Sequence, residues 1–129
     1  MSKLTCQCGH VIVDQTYMIS YKGRLLPDNE KETVATSLTD SIDALSVANQ
    51  EGKRLEWINQ NFVVPPYPTD LKDSSMVYDL YSSSFIDATK TIYECESCGR
   101  ILIQVGKTEQ FKSFKPETDD TKGILKGHR

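Results

Sequence analysis

The sequence predicts an α+β fold in which an antiparallel β-sheet is formed by both chain ends and a helical insertion separates them. Three observations carry this. Two cysteine pairs, each followed by glycine, stand far apart at Cys6-Gln7-Cys8-Gly9 and Cys95-Glu96-Ser97-Cys98-Gly99. Short β-branched runs follow or flank both pairs. The segment between them spaces its apolar residues as a helix does.

Taken in order, the first knuckle leads from Thr5 into a strand at Val11-Ile12-Val13, and a further strand is expected from Tyr17 to Tyr21. Gly23 and Pro27-Asp28-Asn29 break the pattern, and Asp28 or Asn29 can cap a helix starting near Glu30. Within it Val34, Leu38, Ile42 and Leu45 line one face, opposite Glu32, Asp40 and Asp43. Gly52 permits a break before a short helix around Leu55 to Ile58, with Trp57 or Ile58 in the core. Pro65-Pro66-Tyr67-Pro68 then forces extended backbone. A third helix is expected from Ser74 to Asp87, gathering Val77, Leu80, Tyr81 and Phe85, with Ser82-Ser83-Ser84 as its weak point. Thr91-Ile92-Tyr93, Ile101 to Val105 and Gln110 to Phe114 read as a three-stranded meander around the second knuckle.

At 129 residues the chain suits one domain over 1–117, in which 28–89 is the mostly helical insertion and 118–129 a flexible tail. Hydrophobic residues make up 38% and charged residues 26%, which argues against wholesale disorder. The apolar runs are too short to span a bilayer, and no basic region with an apolar stretch directs secretion, so a cytoplasmic protein is expected. The net charge of -3 conceals an asymmetry. From Asp28 to Glu96 there are 13 Asp/Glu against 5 Lys/Arg, whereas the flanks hold 5 acids and 10 bases. Such a middle repels a phosphate backbone and attracts basic surfaces.

The chemistry lies in the cysteines. Two thiolates on a tight turn converge on one cation, turn amides can donate to their sulfurs, and the glycine supplies the positive φ the turn needs. Facing knuckles would complete a tetrahedral site of Cys6, Cys8, Cys95 and Cys98, holding one structural Zn2+ with no position left for water. The first pair is C-x-C and the connection to the second is 86 residues long, but closure entropy grows only logarithmically with loop length. A disulfide framework is disfavoured by the missing secretion signal. A redox pair at Cys95 and Cys98 is disfavoured because strand, not helix, follows it. His10 follows a complete set of four and is expected to point away, and His128 is assigned nothing. No Gly-rich phosphate loop, distinguished carboxylate pair or nucleophile with a neighbouring base is present, so no enzyme is expected.

The chain resembles a group of small bacterial split zinc-ribbon proteins. The resemblance rests on Cys6-Gln7-Cys8-Gly9 with Asp14, Tyr21-Lys22, Leu26-Pro27-Asp28, Thr91-Ile92-Tyr93-Glu94-Cys95-Glu96-Ser97-Cys98-Gly99-Arg100 and Ser113-Phe114-Lys115-Pro116-Glu117. It implies immunity proteins, which bind and neutralise a cognate toxin domain of polymorphic toxin systems. It carries over no binding residue.

An acidic protein suits a toxin with a basic surface, and Tyr67, Tyr78, Asp79, Tyr81 and Asp87 are the candidate partner-binding residues. The alternative is a nucleic-acid-binding or transcription-associated ribbon. Its basic, aromatic surface would be Arg100, Lys107, Phe111, Lys112, Phe114 and Lys115. No membrane partner is expected, and with an acidic middle of this size nucleic acid is disfavoured as one.

Overall fold

The computed structural model describes residues 2–62, 67–119 and 122–127. It is an α+β structure with two antiparallel sheets and three helices, and its strands lie at both chain ends. The chain condenses into two compact units, Met1–Leu25 with Thr89–Arg129, and Leu26–Ala88. Val63 to Pro66, including two of the prolines expected to break the chain, and His128 lie outside the described residues.

In the β unit, β1 (Ser2–Thr5) and β2 (Val11–Asp14) form a hairpin whose turn is the first cysteine knuckle. A four-stranded sheet follows, in the order β3 (Lys22–Leu25), β4 (Lys90–Glu94), β5 (Ile101–Gln104), β6 (Phe111–Phe114). The last three strands are the expected meander. Alternation places Tyr93, Leu102 and Ser113 opposite one another on one face of this sheet. There Tyr93 and Leu102 pack with Ile12 of the hairpin and with Cys6 and Cys95 in one buried cluster.

Three expectations meet a different structure here. The strand foreseen at Tyr17 to Tyr21 lies instead at Lys22–Leu25, because Met18 adopts φ 57 and the Lys22 amide closes a turn onto the Ile19 carbonyl. Tyr17 and Met18 are both 86% exposed. Gly23, foreseen as a breaker, is a strand residue opposite Ile92, where a Cβ would sit 3.2 Å from the Ile92 Cγ2. Part of the segment read as a flexible tail has specific partners: the amides of Gly123 and Leu125 donate to the carboxylate of buried Glu94 at 2.5 and 3.1 Å.

The helical unit holds α1 (Lys31–Gln50), α2 (Arg54–Asn61) and α3 (Asp73–Ala88). Gly52, at φ 68, ends α1. The Lys53 amide reaches back to the Ala48 carbonyl at 2.8 Å and the Gly52 amide to Asn49 at 3.4 Å, which is a Schellman motif. Leu45, Ala48, Trp57, Ile58 and Met76 form the core, flanked by Phe62, Tyr67, Leu71, Val77 and Leu80. Full burial of each large side chain contributes about 1.5–3 kcal/mol. Both Trp57 and Ile58 are inside, as allowed for, and on α3 the fully buried residue is Met76, with Val77 and Leu80 packed partly buried against the same core. Arg54 ties the ends of two helices together, bonding Asp73 Oδ1 at 3.2 Å and the carbonyls of Thr69 and Leu71.

Candidate metal centre

The two knuckles close in the same way. In the first, the Cys6 amide donates to the His10 carbonyl and the Gly9 amide to the Cys6 carbonyl, both at 2.9 Å. In the second, the Cys95 amide donates to Arg100 and the Gly99 amide to Cys95, both at 2.8 Å. Gly9 at φ 94 and Gly99 at φ 80 supply the left-handed backbone that a side chain would resist. Each turn therefore presents two sulfurs to the same side. The hairpin carrying the first knuckle packs through Ile12 onto the sheet carrying the second.

The outcome is one cluster. The sulfurs of Cys6, Cys8, Cys95 and Cys98 all lie within 4.8 Å of one another and could hold a metal ion. Cys6 Sγ is 3.6 Å from Cys98 Sγ, and Cys8 Sγ is 3.6 Å from Cys95 Sγ. A disulfide needs about 2.05 Å, and all four cysteines are free. Ligands at about 2.3 Å from a tetrahedral centre stand about 3.8 Å apart, so the spacing fits four thiolates around one cation.

The four sulfurs sit in unequal electrostatic surroundings. Burial pushes the Cys95 thiol up to about 12, against donation from the amides of Cys98 and Ser97. Burial likewise raises Cys6, against the Cys8 amide. Partial burial raises Cys98 as well, but the amide and guanidinium of Arg100, with Nη1 3.3 Å from the sulfur, bring it down to about 6. Four sulfurs this close repel one another as thiolates unless a positive charge sits among them. Arg100, which sequence reasoning placed on a nucleic-acid surface, is thereby engaged at the cluster. His10 is outside the cluster, with Nε2 3.9 Å from a Glu96 carboxylate oxygen.

Beside the cluster on the sheet, Asp14 accepts from Lys22 and from the Tyr93 hydroxyl, each at 2.5 Å. Burial raises the Asp14 carboxyl, and the bonds from Lys22 and Tyr93 outweigh it, so the net shift is downward. The Tyr93 hydroxyl, buried and facing that carboxylate, is held well above its usual value. Sequence reasoning singled out Asp14 and Tyr93 only as parts of a pattern. Their signal as partners across 79 residues is absent from local spacing.

The five candidate partner-binding residues separate. Tyr78 and Tyr81 line an open groove between α1 and α3. Tyr67 stacks on Phe62 at 3.7 Å and donates to Asp79 at 2.8 Å, which, together with burial, pushes its hydroxyl up to about 12. Asp87 is exposed near the end of α3 and does not line the groove. Of the basic flank, Phe111 tilts against Tyr93 at 5.5 Å between centroids. Phe114 is 53% exposed on edge strand β6, beside exposed Lys112 and Lys115. Among the described residues, no helix is long and apolar enough to cross a membrane.

A family model described as Domain of unknown function (DUF8617) matches residues 2–118, and the chain belongs to that family. No curated protein and no solved structure matches it significantly.

Proposed function

We propose that this member of the family is a non-enzymatic protein-binding module, in which one structural zinc ion orders the β unit and the acidic helical unit receives a basic protein partner. Zinc follows from the donor chemistry: four thiolates at tetrahedral spacing suit it, fill its shell and leave no place for a reacting water. Cys6, Cys8, Cys95 and Cys98 would hold it, while the amides of Cys8 and Ser97 and the Arg100 side chain offset the negative charge of the sulfurs. β3 and β4, the strands leading into and out of the helical segment, pair with Leu25 opposite Lys90. A metal that orders this sheet would therefore fix both ends of that segment side by side.

The observation that carries the binding reading is the helical unit's surface. Residues 26–88 hold 11 Asp/Glu against 4 Lys/Arg, and Ile42, Leu55, Tyr78 and Ile86 are each close to half exposed or more. Acidic charge steers a basic partner and speeds its encounter, and exposed aromatic and aliphatic side chains hold it. A narrower form of the reading, supported by the resemblance, is an immunity protein that blocks a basic bacterial toxin domain in the cytoplasm. A second reading, nucleic-acid binding, has the exposed Phe114 with Lys112 and Lys115 in its favour.

The test uses the product of the neighbouring gene, duplex DNA and single-stranded RNA as probes against the intact protein. The protein partner should co-purify one to one and associate more slowly as salt rises. Asp79→Lys with Asp87→Lys should weaken binding about tenfold, which is ~1.4 kcal/mol, at unchanged metal content. Tight nucleic-acid binding abolished by Lys112→Glu with Lys115→Glu would overturn the proposal in favour of the second reading.

A further inference from the structure

α1 and α3 pack against each other yet leave an open channel of about 680 Å³ between them. Its walls are Leu38, Ile42 and Leu45 from α1 and Val77, Tyr78 and Tyr81 from α3. Leu45 is buried at its floor, whereas Ile42 is 47% and Tyr78 63% exposed at its lip. This explains why Ile42, which shares a helical face with core residues, is not itself enclosed. Two helices with an apolar furrow between them are two thirds of a three-helix packing, and the furrow accepts the ridge of a third. Along α1 it runs from Leu38 to Gln50, or about 18 Å at 1.5 Å per residue, the length of roughly three helical turns.

The charge of the surroundings selects the occupant. The unit's cations are Lys31, Lys53, Arg54 and Lys72, and none lines the groove. Arg54 is already committed to Asp73, which lies at the polar end with Asn49, Gln50 and Ser74. A second copy seated through its own helical unit would bring another 11 acids and 4 bases against the first, and like charge opposes that pairing.

Resting on the protein-binding reading above, we infer that the α1/α3 groove is the seat of a basic amphipathic helix of about three turns. Its apolar residues, spaced i, i+4, i+7, enter between Ile42 and Tyr78, and its Lys or Arg residues face the acidic surface of the helical unit. Affinity comes from the furrow and steering from the surrounding charge, so the two contributions are separable by mutation.

The experiment titrates the full-length, metal-loaded protein with three fluorescent synthetic peptides. One is an amphipathic Leu/Lys helix, one has Glu in place of every Lys, and one has the first peptide's composition scrambled. The Leu/Lys helix should bind at least tenfold more tightly than the other two. Ile42→Lys and Tyr78→Ala should each weaken it about tenfold, while Val47→Lys, at an exposed apolar site of α1 outside the groove, should not. Helical circular dichroism and metal content are measured on every variant, and backbone amide shifts map the site where a variant misfolds.

If binding and its salt dependence persist in both groove variants, the groove inference falls and the acidic-surface reading stands. If no basic probe binds more tightly than its acidic counterpart, the protein-binding reading falls with it. Sedimentation showing a dimer that Ile42→Lys dissolves would make a second copy the occupant and overturn the inference.

Discussion

The two units reach order by different means. The β unit has strands of four or five residues and a buried cluster in which two of five members are cysteines. The helical unit has no cross-link among its described residues and is organised by Leu45, Ala48, Trp57, Ile58 and Met76, with Arg54 holding its helix ends. Each contains roughly 65 residues, a size at which a single core is marginal. The comparison teaches a division of labour: where a metal can supply the cohesion, little apolar surface is needed, and where packing supplies it, some apolar surface is left open as a groove.

The largest single-side-chain effect should fall at the packed core of the helical unit. Met76 is fully buried, so Met76→Ala should cost about 2–5 kcal/mol, read as a lower denaturation midpoint with unchanged metal content. Ile42→Ala, at the groove lip, should cost under ~1 kcal/mol, because half of that side chain already faces water. Equal losses at the two sites would mean that the groove is closed in solution.

A smaller effect should come from the β unit's polar bond between Tyr93 and Asp14. Tyr93→Phe removes a buried donor and should cost about 1–3 kcal/mol. The pH dependence has a definite sign. Asp14 has a lowered carboxyl pKa in the folded state, so its contribution is complete above the ordinary value of about 3.9 and is lost as pH falls through the lower folded value. Acid unfolding of Tyr93→Phe should therefore show a weaker dependence in that range than wild type, measured by parallel denaturation from about pH 5 down to about pH 2.

Much of this organisation was legible. The cysteine pairs announce themselves because each is joined to a glycine that its turn requires at positive φ. The β4–β5–β6 meander follows from Ile92, Ile101 and Ile103 between polar turns, and α1 from Val34, Leu38 and Leu45. What escaped was set by partners remote in sequence. β1 is a strand only because Ser2–Thr5 pairs with β2, and its own residues carry little strand pattern. β3 slid past Tyr17 to Tyr21 because Gly23 fits against Ile92. Glu94 reads as one more acid of the middle segment, yet it is buried and accepts amides 29 and 31 residues away. Ile42 looks like core by periodicity, and only the placement of α3 leaves it at an open lip.

The division of labour is tested most directly by withdrawing the metal from the intact protein while recording its amide nuclear magnetic resonance spectrum. A structural zinc supplies on the order of 10–16 kcal/mol in small zinc domains, at or above the whole stability of a typical domain at about 5–15 kcal/mol. Strong chelator should therefore release one zinc per chain and collapse the signals of β1 to β6, while those of α1, α2 and α3 stay dispersed. Readdition of zinc should restore them. Unchanged β-unit signals after complete metal removal, or a protein purified without metal and with disulfides between the four cysteines, would contradict the account.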